Sequence, residues 1–439
     1  MVKLEENKSE TYDKAIEVMR LPFCVYIPLS QHTGKVCNPE VKVGDSVFTG
    51  QRIATAVAHV TAPIHASISG KVTSIQDWPH PVLERCRTII IEGDGLDSRQ
   101  STMSSSRQEE EVNRLRPDDI RKIVFEAGIV GMGGAAFPTH LKLNPPNPVD
   151  TLIVNGAECE PYLTGDYRLM VERTKEILLG IELISKCLKV ESVYIAIEDN
   201  KPEAIKQFMV HSSEFLPVPA RPAGGRQAGK VKILKSQYPQ GGEKQLIKNI
   251  LNKEVPRGKL PFDIGVVVHN VATIFAIYEA VYMNKPLYER VVTVTGTCLS
   301  NPKNLLVRIG TPLKDLIDSC GPLKEEPAKI IIGGPMMGIA QYTDTVPVIK
   351  STTGIILMNA NEAKINEELF CIRCSACVRE CPVGLMPCLI NLASEKGMWP
   401  QAKNYGASDC IECGICNYVC PANRRLVQSI KRAKSELVR

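Results

Sequence analysis

Short apolar runs broken by glycine and proline occupy the chain from Pro22 to about Ile91. These runs are VYIPLS, VKVGDSVFTG, RIATAVAHV, ASISGKVTSI and RTIIIEG. Valine and isoleucine in segments of this length, separated by frequent turn residues, are typical of β-strands. The pattern therefore predicts a small β domain near the N-terminus.

The pattern changes after Pro117. DDIRKIVFEAGIV begins with two acidic residues in the first turn of an amphipathic helix, which suits the helix dipole. Strand-like runs (TLIVNGAE, SVYIAIED, KVKILKS) then alternate with helical ones (RLMVERTKEILLGIELISKCL, GEKQLIKNILN). Alternation of this kind predicts an α/β layer with parallel strands.

Two further segments complete the chain. IGVVVHNVATIFAIYEAVYM is interrupted by polar residues, so it predicts a buried strand running into a helix rather than a membrane span. ERVVTVTG through LKDLIDSCG and KIIIGGPMMG has the size of a β-grasp unit, and a cysteine-rich domain follows from Glu367. The polar, serine-rich residues 93–117 predict a linker.

Composition narrows the functional classes. The 439 residues carry 53 Lys plus Arg against 48 Asp plus Glu, a balance too even to argue for nucleic-acid binding. The first twenty residues lack the basic and apolar regions of a secretory signal. Sixteen cysteines in such a chain favour a reducing compartment, so we expect a cytosolic protein, with peripheral attachment to a membrane complex left open.

Eight of these cysteines form two C-x2-C-x2-C-x3-C-P runs. The first run spans Cys371–Pro382 and the second spans Cys410–Pro421. In the bacterial-ferredoxin arrangement the fourth cysteine of each run binds the other [4Fe–4S] cluster. The predicted ligand sets are Cys371, Cys374, Cys377 and Cys420 for one cluster, and Cys410, Cys413, Cys416 and Cys381 for the other.

Zinc is the alternative, but it favours two separated C-x2-C pairs over complete runs with prolines. The segment LMPCLINLASEKG between the runs predicts a helix. The remaining cysteines considered are expected to be ordinary small buried residues: Cys24, Cys37, Cys86, Cys187, Cys298, Cys320 and Cys388.

A glycine-rich loop, AGIVGMGGAAFPT, follows the amphipathic helix that begins after Pro117. Glycines allow backbone N–H groups to approach an anion closely. By itself the loop is weak evidence, because it matches neither the dinucleotide nor the P-loop pattern, and a tight turn would explain it equally well.

Several motifs together carry a family resemblance. They are GIVGMGGAAFPTHLKL, NGAECEPYLTGDYRLM, YPQGGEKQLI, HNVATIFAIYEA and the two cysteine runs. The chain resembles the flavin- and NADH-binding subunits of respiratory complex I, and most closely the RnfC subunits of Rnf ferredoxin:NAD oxidoreductase complexes. The resemblance covers almost everything from Leu21 onward, with the motifs in the same order.

The resemblance implies FMN and NAD(H) contacts at particular positions. Phosphate and ring contacts fall on Gly131, Gly133, Gly134, Lys142, Asn155, Asn270 and Thr273. Phe137 would stack on the dinucleotide, and Glu158, Glu160 and Glu243 would lie near nicotinamide or ribose. Lys142 and Glu160 are the candidate catalytic residues, although the two acids of NGAECEP could equally bind neighbouring protein groups.

This chain departs from the family pattern at three places. Ala136 stands where the family has a glycine and would add a methyl group close to the ligand. Ala157 replaces an aspartate that accepts from the flavin, and a double glutamate is reduced to Gly242-Glu243-Lys244. These departures put the details of nucleotide binding in doubt more than the presence of a flavin.

The predicted fold is multidomain α/β. Its parts are an N-terminal extension (1–20), a barrel-sandwich hybrid domain (21–92), the linker (93–117), an FMN/NADH-binding α/β domain (118–262), an SLBB β-grasp-like region (263–360) and a two-cluster ferredoxin-like helical domain (361–439). The barrel-sandwich prediction comes from VKVGDSVFTGQRIA and TAPIHASISGKVTSI, which resemble lipoyl/biotinyl half-motifs. TAVAHVTAP between them lacks the carrier lysine, so the use of that fold is expected to be structural.

The parts imply an electron converter, since NADH gives up two electrons at once whereas each cluster accepts one and a flavin can do both. The expected function is electron transfer between NAD(H), FMN and two [4Fe–4S] clusters in a membrane-bound Rnf-type complex that moves Na+ or H+. Expected partners are integral membrane subunits, a ferredoxin-like subunit and, indirectly, ferredoxin; the expected location is the cytoplasmic face of the membrane. The alternatives are a stand-alone flavin-dependent reductase resembling cobalamin reductases, and a non-catalytic iron–sulfur wiring module.

Overall fold

The computed structural model describes residues 1–95, 106–215 and 227–438. These residues form the strands β1 Ile16–Val18, β2 Cys24–Pro28, β3 Asn38–Pro39, β4 Ser46–Val47, β5 Arg52–Thr55, β6 Ile64–His65, β7 Gly70–His80, β8 Glu84–Gly93, β9 Thr151–Gly156, β10 Ser192–Glu198, β11 Gln227–Leu234, β12 Val266–Asn270, β13 Glu289–Thr295, β14 Lys303–Arg308, β15 Lys329–Ile332, β16 Ile339–Gln341 and β17 Gly354–Met358.

The α-helices are α1 Glu109–Arg114, α2 Pro117–Glu126, α3 Thr139–Lys142, α4 Gly165–Glu172, α5 Thr174–Leu188, α6 Pro202–Phe215, α7 Glu243–Leu251, α8 Val271–Met283, α9 Leu313–Asp318, α10 Ala376–Arg379, α11 Pro387–Glu395, α12 Trp399–Asn404, α13 Ile415–Tyr418 and α14 Leu426–Val438. Short 3-10 helices span Pro261–Ile264 and Ala407–Asp409.

The first domain contains two small antiparallel sheets. Their strand orders are β2-β8-β7-β4 and β3-β5-β6. Alternate apolar residues, among them Val25, Ile27 and Ile53, point into one shared core and are fully buried. This two-sheet core confirms the barrel-sandwich prediction.

The predicted linker is partly structured. Residues 96–105 lie outside the described residues, but α1 occupies the segment after them. Val112 is buried in the α/β core, and the Arg107 guanidinium donates to the backbone oxygen of Val281 at the end of α8. The linker prediction was therefore too long, because one apolar residue and one end-capping arginine attach this segment to the next domain.

The α/β domain is built on a four-stranded parallel sheet, as predicted. Its strand order is β11-β10-β9-β12, with α5 and α8 among the helices that cover it. Strand β12 runs directly into α8, which agrees with the predicted strand and helix of the apolar segment. Because β12 pairs with β9 in this sheet, the predicted boundary after residue 262 is too early, and residues up to Met283 belong to the α/β layer.

The SLBB region forms a six-stranded mixed sheet of order β1-β14-β13-β17-β15-β16. Its edge strand β1 comes from residues 16–18 and pairs in parallel with β14. Residues 1–20 are therefore not a separate extension, since their last part completes this sheet.

The beginning of the chain also contacts the α/β domain. Val2 forms an antiparallel bridge with Tyr238, and the Tyr12 ring stacks on Tyr167 with 4.4 Å between ring centroids. Lys8 is buried and donates from Nζ to the Glu158 backbone oxygen at 2.6 Å. The segment thus joins the α/β domain to the SLBB sheet.

The C-terminal domain is helical. Short helices α10 and α13 follow the third cysteine spacings of the two runs, and α11 confirms the helix predicted between them. Helix α11 packs along α14, with Ile390 and Ile430 fully buried between them. This pair of helices closes the domain around the cysteine loops.

Candidate flavin and iron–sulfur sites

The candidate flavin site lies at the carboxyl ends of two parallel strands. Asn155 ends β9 next to Asn270, the last residue of β12, and the two are paired in register. Ligands of open α/β sheets bind at this edge, where the loops after the strands meet. The two asparagines predicted to contact flavin are therefore neighbours.

The glycine-rich loop lies over Asn270. The Gly131 amide donates to the Phe137 carbonyl at 2.9 Å, which closes the loop, and the Met132 amide donates to Thr273 Oγ1 at 2.9 Å. A Cβ atom on Gly133 would lie 2.7 Å from Asn270 Nδ2, so only glycine fits there. Phe137 itself is half-buried.

The outer side of the loop is open. A Cβ atom on Gly134 would meet nothing within 4 Å, and Gly133 and Gly134 are exposed. Among the described residues, no acceptor pairs with either backbone amide. Two unpaired, accessible N–H groups on a glycine loop fit a phosphate group, so the residues present suit FMN.

Ala136 does not obstruct this open side. It adopts φ +52°, in the left-handed region, and its side chain is buried in the α/β core. Its methyl group therefore packs inward, at the cost of a backbone conformation that alanine disfavours. The missing glycine is accommodated away from the ligand face.

Lys142 and Glu243 form an ion pair beside the loop. Lys142 Nζ lies 2.7 Å from Glu243 Oε1 and donates to the Val268 backbone oxygen at 2.8 Å. Glu243 begins α7, directly after the Gly241-Gly242 turn. Asn155 Nδ2 donates to Gly241 O at 2.9 Å, so the turn, the ion pair and the strand ends form one site.

Glu158 caps a helix instead of facing the open loop. Its two carboxylate oxygens accept from the backbone amides of Asp166 at 2.6 Å and Tyr167 at 3.1 Å, in the first turn of α4. Burial raises the pKa of Glu158 to about 7, an effect that the nearby Lys8 opposes. This geometry favours the alternative in which the acid binds neighbouring protein groups.

Glu160 likewise has protein partners. Its carboxylate accepts from the backbone amides of Met336 at 3.2 Å and Met337 at 2.9 Å, in the GGPMMG loop. Burial raises the pKa of Glu160 to about 7, and these two amides lower it in part. Its carboxylate thus binds the SLBB region rather than the glycine-rich loop.

Asp166 is a site residue that the sequence analysis missed. Its Oδ2 accepts from Asn270 Nδ2 at 2.6 Å, while Asn270 Oδ1 caps α8 through the Ala272 amide at 2.9 Å. Burial raises the pKa of Asp166, and the hydrogen bond from Asn270 lowers it in part. Only its place in the motif TGDYRLM, close to the acids of NGAECEP, could have indicated it.

Four predicted cluster ligands line one enclosed space. They are Cys381 of the first run and Cys410, Cys413 and Cys416 of the second run. Burial raises the pKa of Cys413 to about 11 and also raises that of Cys416. Because iron binds thiolates, the positive charge of the metal would have to offset this preference for the neutral thiol.

The other predicted ligand set lies nearer the surface. Cys371 and Cys374 are exposed, whereas Cys377 is buried close to Cys420 and Cys388. Cys388 is therefore not an ordinary buried residue, because it lies beside this set. Cys24 and Cys86 are also only half-buried, and Cys159, which was not considered, accepts from the Gly241 amide at 3.2 Å.

Tyr238 connects the candidate flavin site with the enclosed cysteine set. It precedes the Gly241-Gly242 turn, and its hydroxyl donates to the Cys413 backbone oxygen at 2.8 Å. Tyr238 is buried together with Ile415 of the second run. The enclosed set therefore lies against the α/β domain, and the exposed set lies on the far side of it.

Family models match each part of the chain. The RnfC barrel sandwich hybrid domain matches residues 2–96, and the Nuo51 FMN-binding domain matches residues 124–279. The SLBB domain matches residues 291–340, and the 4Fe-4S dicluster domain matches residues 363–426. The order of domains agrees with the predicted fold class.

Curated relatives match over nearly the whole length. The chain is 45% identical to the RnfC-type component of the proton-translocating ferredoxin:NAD(+) oxidoreductase complex of Clostridium ljungdahlii, over 98% of this chain and 92% of the relative. It is 42% identical to the Na(+)-translocating counterpart of Acetobacterium woodii, over 98% and 95%. This chain belongs to the RnfC family. Another RnfC relative, from the ion-translocating oxidoreductase complex of Rhodobacter capsulatus, is 43% identical over 99% of this chain and 82% of its own length.

A solved structure supports the fold alone. It is an NAD+-reducing [NiFe]-hydrogenase in the H2-reduced state, with a TM-score of 0.54 and 17% identity over 78% of this chain and 67% of that chain. In this RnfC-family chain, no helix of the described ranges is long and apolar enough to cross a membrane.

Proposed function

We propose that this chain passes electrons between NAD(H) and the other subunits of an ion-translocating ferredoxin:NAD oxidoreductase complex. It is an electron-transfer subunit with an FMN domain and a two-cluster domain. The contact from Tyr238 to Cys413 carries the proposal, because it joins the candidate flavin site to the enclosed cluster site within one chain.

The residues around the glycine-rich loop would hold the FMN. The amides of Gly133 and Gly134 would receive the phosphate, while Asn155, Asn270 and Thr273 set the strand-end floor of the site. Lys142 would supply a point charge near the phosphate or the electron-rich edge of the flavin, and Glu243 fixes its position. FMN, when bound, exchanges electrons in pairs with NAD(H) and singly with clusters.

We assign different tasks to the two acids of NGAECEP. Glu158 orders the first turn of α4, which carries Asp166 beneath Asn270. Glu160 holds the GGPMMG loop, whose Met336 carbonyl closely approaches Gly414 of the second cysteine run. Neither task requires contact with nicotinamide, and both keep the flavin site in register with the enclosed cluster.

The burial of the cysteines indicates the order of the clusters. The set Cys381, Cys410, Cys413 and Cys416 would exchange electrons with the flavin, because it lies beside Tyr238. The set Cys371, Cys374, Cys377 and Cys420 would exchange electrons with partner subunits, because two of its members are exposed. Partners would be integral membrane subunits and a ferredoxin-like subunit, with this chain peripheral on the cytoplasmic face.

The decisive experiment is anaerobic reconstitution of the purified chain with iron, sulfide and FMN, followed by NADH titration. We expect about four irons for each of two clusters, one FMN, and EPR signals that appear on reduction. Reduction by dithionite but not NADH, with the flavin still bleached by NADH, would indicate low cluster potentials. If the flavin neither binds nor bleaches, the wiring-module alternative is correct.

The stand-alone reductase differs in its partners. Co-purification of the tagged chain with integral membrane subunits from native membranes supports the proposal, and its absence supports a free reductase. Protection of the chain from protease in sealed inverted and right-side-out vesicles measures which face it occupies.

A further inference from the structure

Two buried cations of the SLBB region contact the underside of the glycine-rich loop. Arg290, on β13, is 3% exposed, and its guanidinium donates to the backbone oxygens of Met132 at 3.3 Å and of Lys350 at 2.5 Å. Met132 is the middle residue between Gly131 and Gly133. A side chain from another domain thus fixes the centre of the loop.

Lys350 holds the start of the same loop. It is 1% exposed, and its Nζ donates to Gly128 O at 2.6 Å and to Pro63 O at 2.7 Å. Gly128 adopts φ +65°, and a Cβ there would lie 2.2 Å from Pro63 O. Lys350 therefore joins the barrel-sandwich domain, the SLBB region and the loop at one point.

Arg290 also acts on the other side of the site. It interacts electrostatically with Asp166, whose carboxylate accepts from Asn270. Asn270 lies directly under Gly133. Arg290 therefore influences both the loop and the strand end, the two structures that would hold the FMN.

Burying a guanidinium costs several kcal/mol unless hydrogen bonds and an opposite charge compensate. Leucine or methionine at this place in the core would avoid that cost. The two carbonyls and Asp166 give Arg290 its compensation, and all three tie it to the flavin loop or to the segment of Lys350. The charge is thus placed where it acts on the contents of the site.

We propose that Arg290 is a positioning residue for the flavin, and that the SLBB region, through Arg290 and Lys350, sets the geometry and electrostatic potential of the flavin site. This inference rests on the proposed function. A fixed positive charge beneath the loop favours binding of the anionic phosphate. It also favours the redox form of the flavin that carries more negative charge, so it makes the flavin potential less negative.

The test uses the full-length reconstituted chain and the variant Arg290→Met. We expect at least a tenfold rise in the FMN dissociation constant, measured by flavin fluorescence quenching. We also expect the bound flavin to become harder to reduce. If the ratio of dissociation constants for reduced and oxidised FMN rises tenfold, the potential falls by about 30 mV for a two-electron couple.

The matched control is Arg308→Met. Arg308 is 2% exposed on the neighbouring strand β14, where it pairs with Glu289 and lies over the Tyr288 ring. This substitution removes a buried arginine from the same sheet, so it measures general destabilisation. We expect R308M to lower the melting temperature while the flavin potential stays at the wild-type value.

A conservative variant separates charge from geometry. Arg290→Lys retains the charge but loses the planar fork that reaches two carbonyls. It should keep the potential near the wild-type value with at least a threefold weaker FMN affinity, and it replaces R290M if that variant does not fold. Wild-type affinity and potential in the folded variant would overturn the inference, whereas failure of the wild-type chain to bind FMN would overturn the proposed function.

Discussion

Replacing Gly133 by alanine tests the geometry of the flavin loop most directly. The new Cβ would lie 2.7 Å from Asn270 Nδ2 and 2.8 Å from its Cγ, so Asn270 has to move. Asn270 is not free to move, because its oxygen caps α8 through Ala272 and its amide binds Asp166.

The cost follows from the bonds that would break. Loss of an N-cap costs about 1 kcal/mol, and loss of a buried hydrogen bond to a carboxylate costs roughly another 1–3 kcal/mol. For a domain of 150–250 residues, about 1 kcal/mol shifts the melting temperature by roughly 2–4 °C. We therefore expect Gly133→Ala to lower the melting temperature of the α/β domain by roughly 5–15 °C.

Gly134→Ala is the matched control. Its Cβ would meet nothing within 4 Å, so the substitution should leave the melting temperature unchanged. It places a methyl group on the open side of the loop, where the phosphate would approach, and should weaken FMN binding at least tenfold. Differential scanning calorimetry and FMN fluorescence quenching measure the two effects. An unchanged melting temperature in G133A, or wild-type FMN affinity in G134A, would refute the reasoning.

Three further predictions concern the clusters, the ion pair and pH. Cys381→Ser should abolish the cluster of the second run and Cys420→Ser that of the first, each lowering iron from about eight to about four per chain with loss of a different EPR signal; loss of the same-run cluster would contradict the crossed ligation. Lys142→Met should weaken FMN binding at least tenfold, while Glu243→Gln, which releases the lysine, should tighten it; equal effects would show that only the pair matters. Burial lowers the pKa of Lys350 from its usual 10.5 to about 7, so between these values the unfolded chain holds a proton that the folded chain has lost. Stability should therefore rise with pH through this window, and Lys350→Met should remove that rise in melting curves at pH 6.5 and 9.

The sequence was sufficient where function depends on spacing. The two cysteine runs predicted the grouping of Cys381 with the second run, and the structure places these four residues around one space. The glycine-rich loop and the strand-end asparagines were predicted because their types and order carry the family resemblance. Alternating apolar runs predicted the parallel sheet for the same reason, since burial on both faces leaves a direct trace in the sequence.

The sequence was insufficient where a role depends on contacts between distant segments. Glu158 and Glu160 are two residues apart, yet one caps α4 and the other binds the GGPMMG loop. Local sequence could not show this, because a carboxylate in a loop can serve a ligand or a backbone amide equally well. Arg290 lies in an ordinary strand pattern, and its contact with Met132 spans 158 positions.

These long-range contacts share one feature, which is that they converge on the SLBB sheet. The sheet receives β1 from the start of the chain and positions the glycine-rich loop through Arg290. Its GGPMMG loop lies between Glu160 and Gly414 of the second cysteine run. The separation between the flavin site and the enclosed cluster therefore depends on packing within one sheet and its loops, not on flexible linkers. Because electron transfer between cofactors weakens steeply as they separate, a rigid sheet at this junction explains why a small β-grasp unit is inserted between a nucleotide domain and a ferredoxin domain.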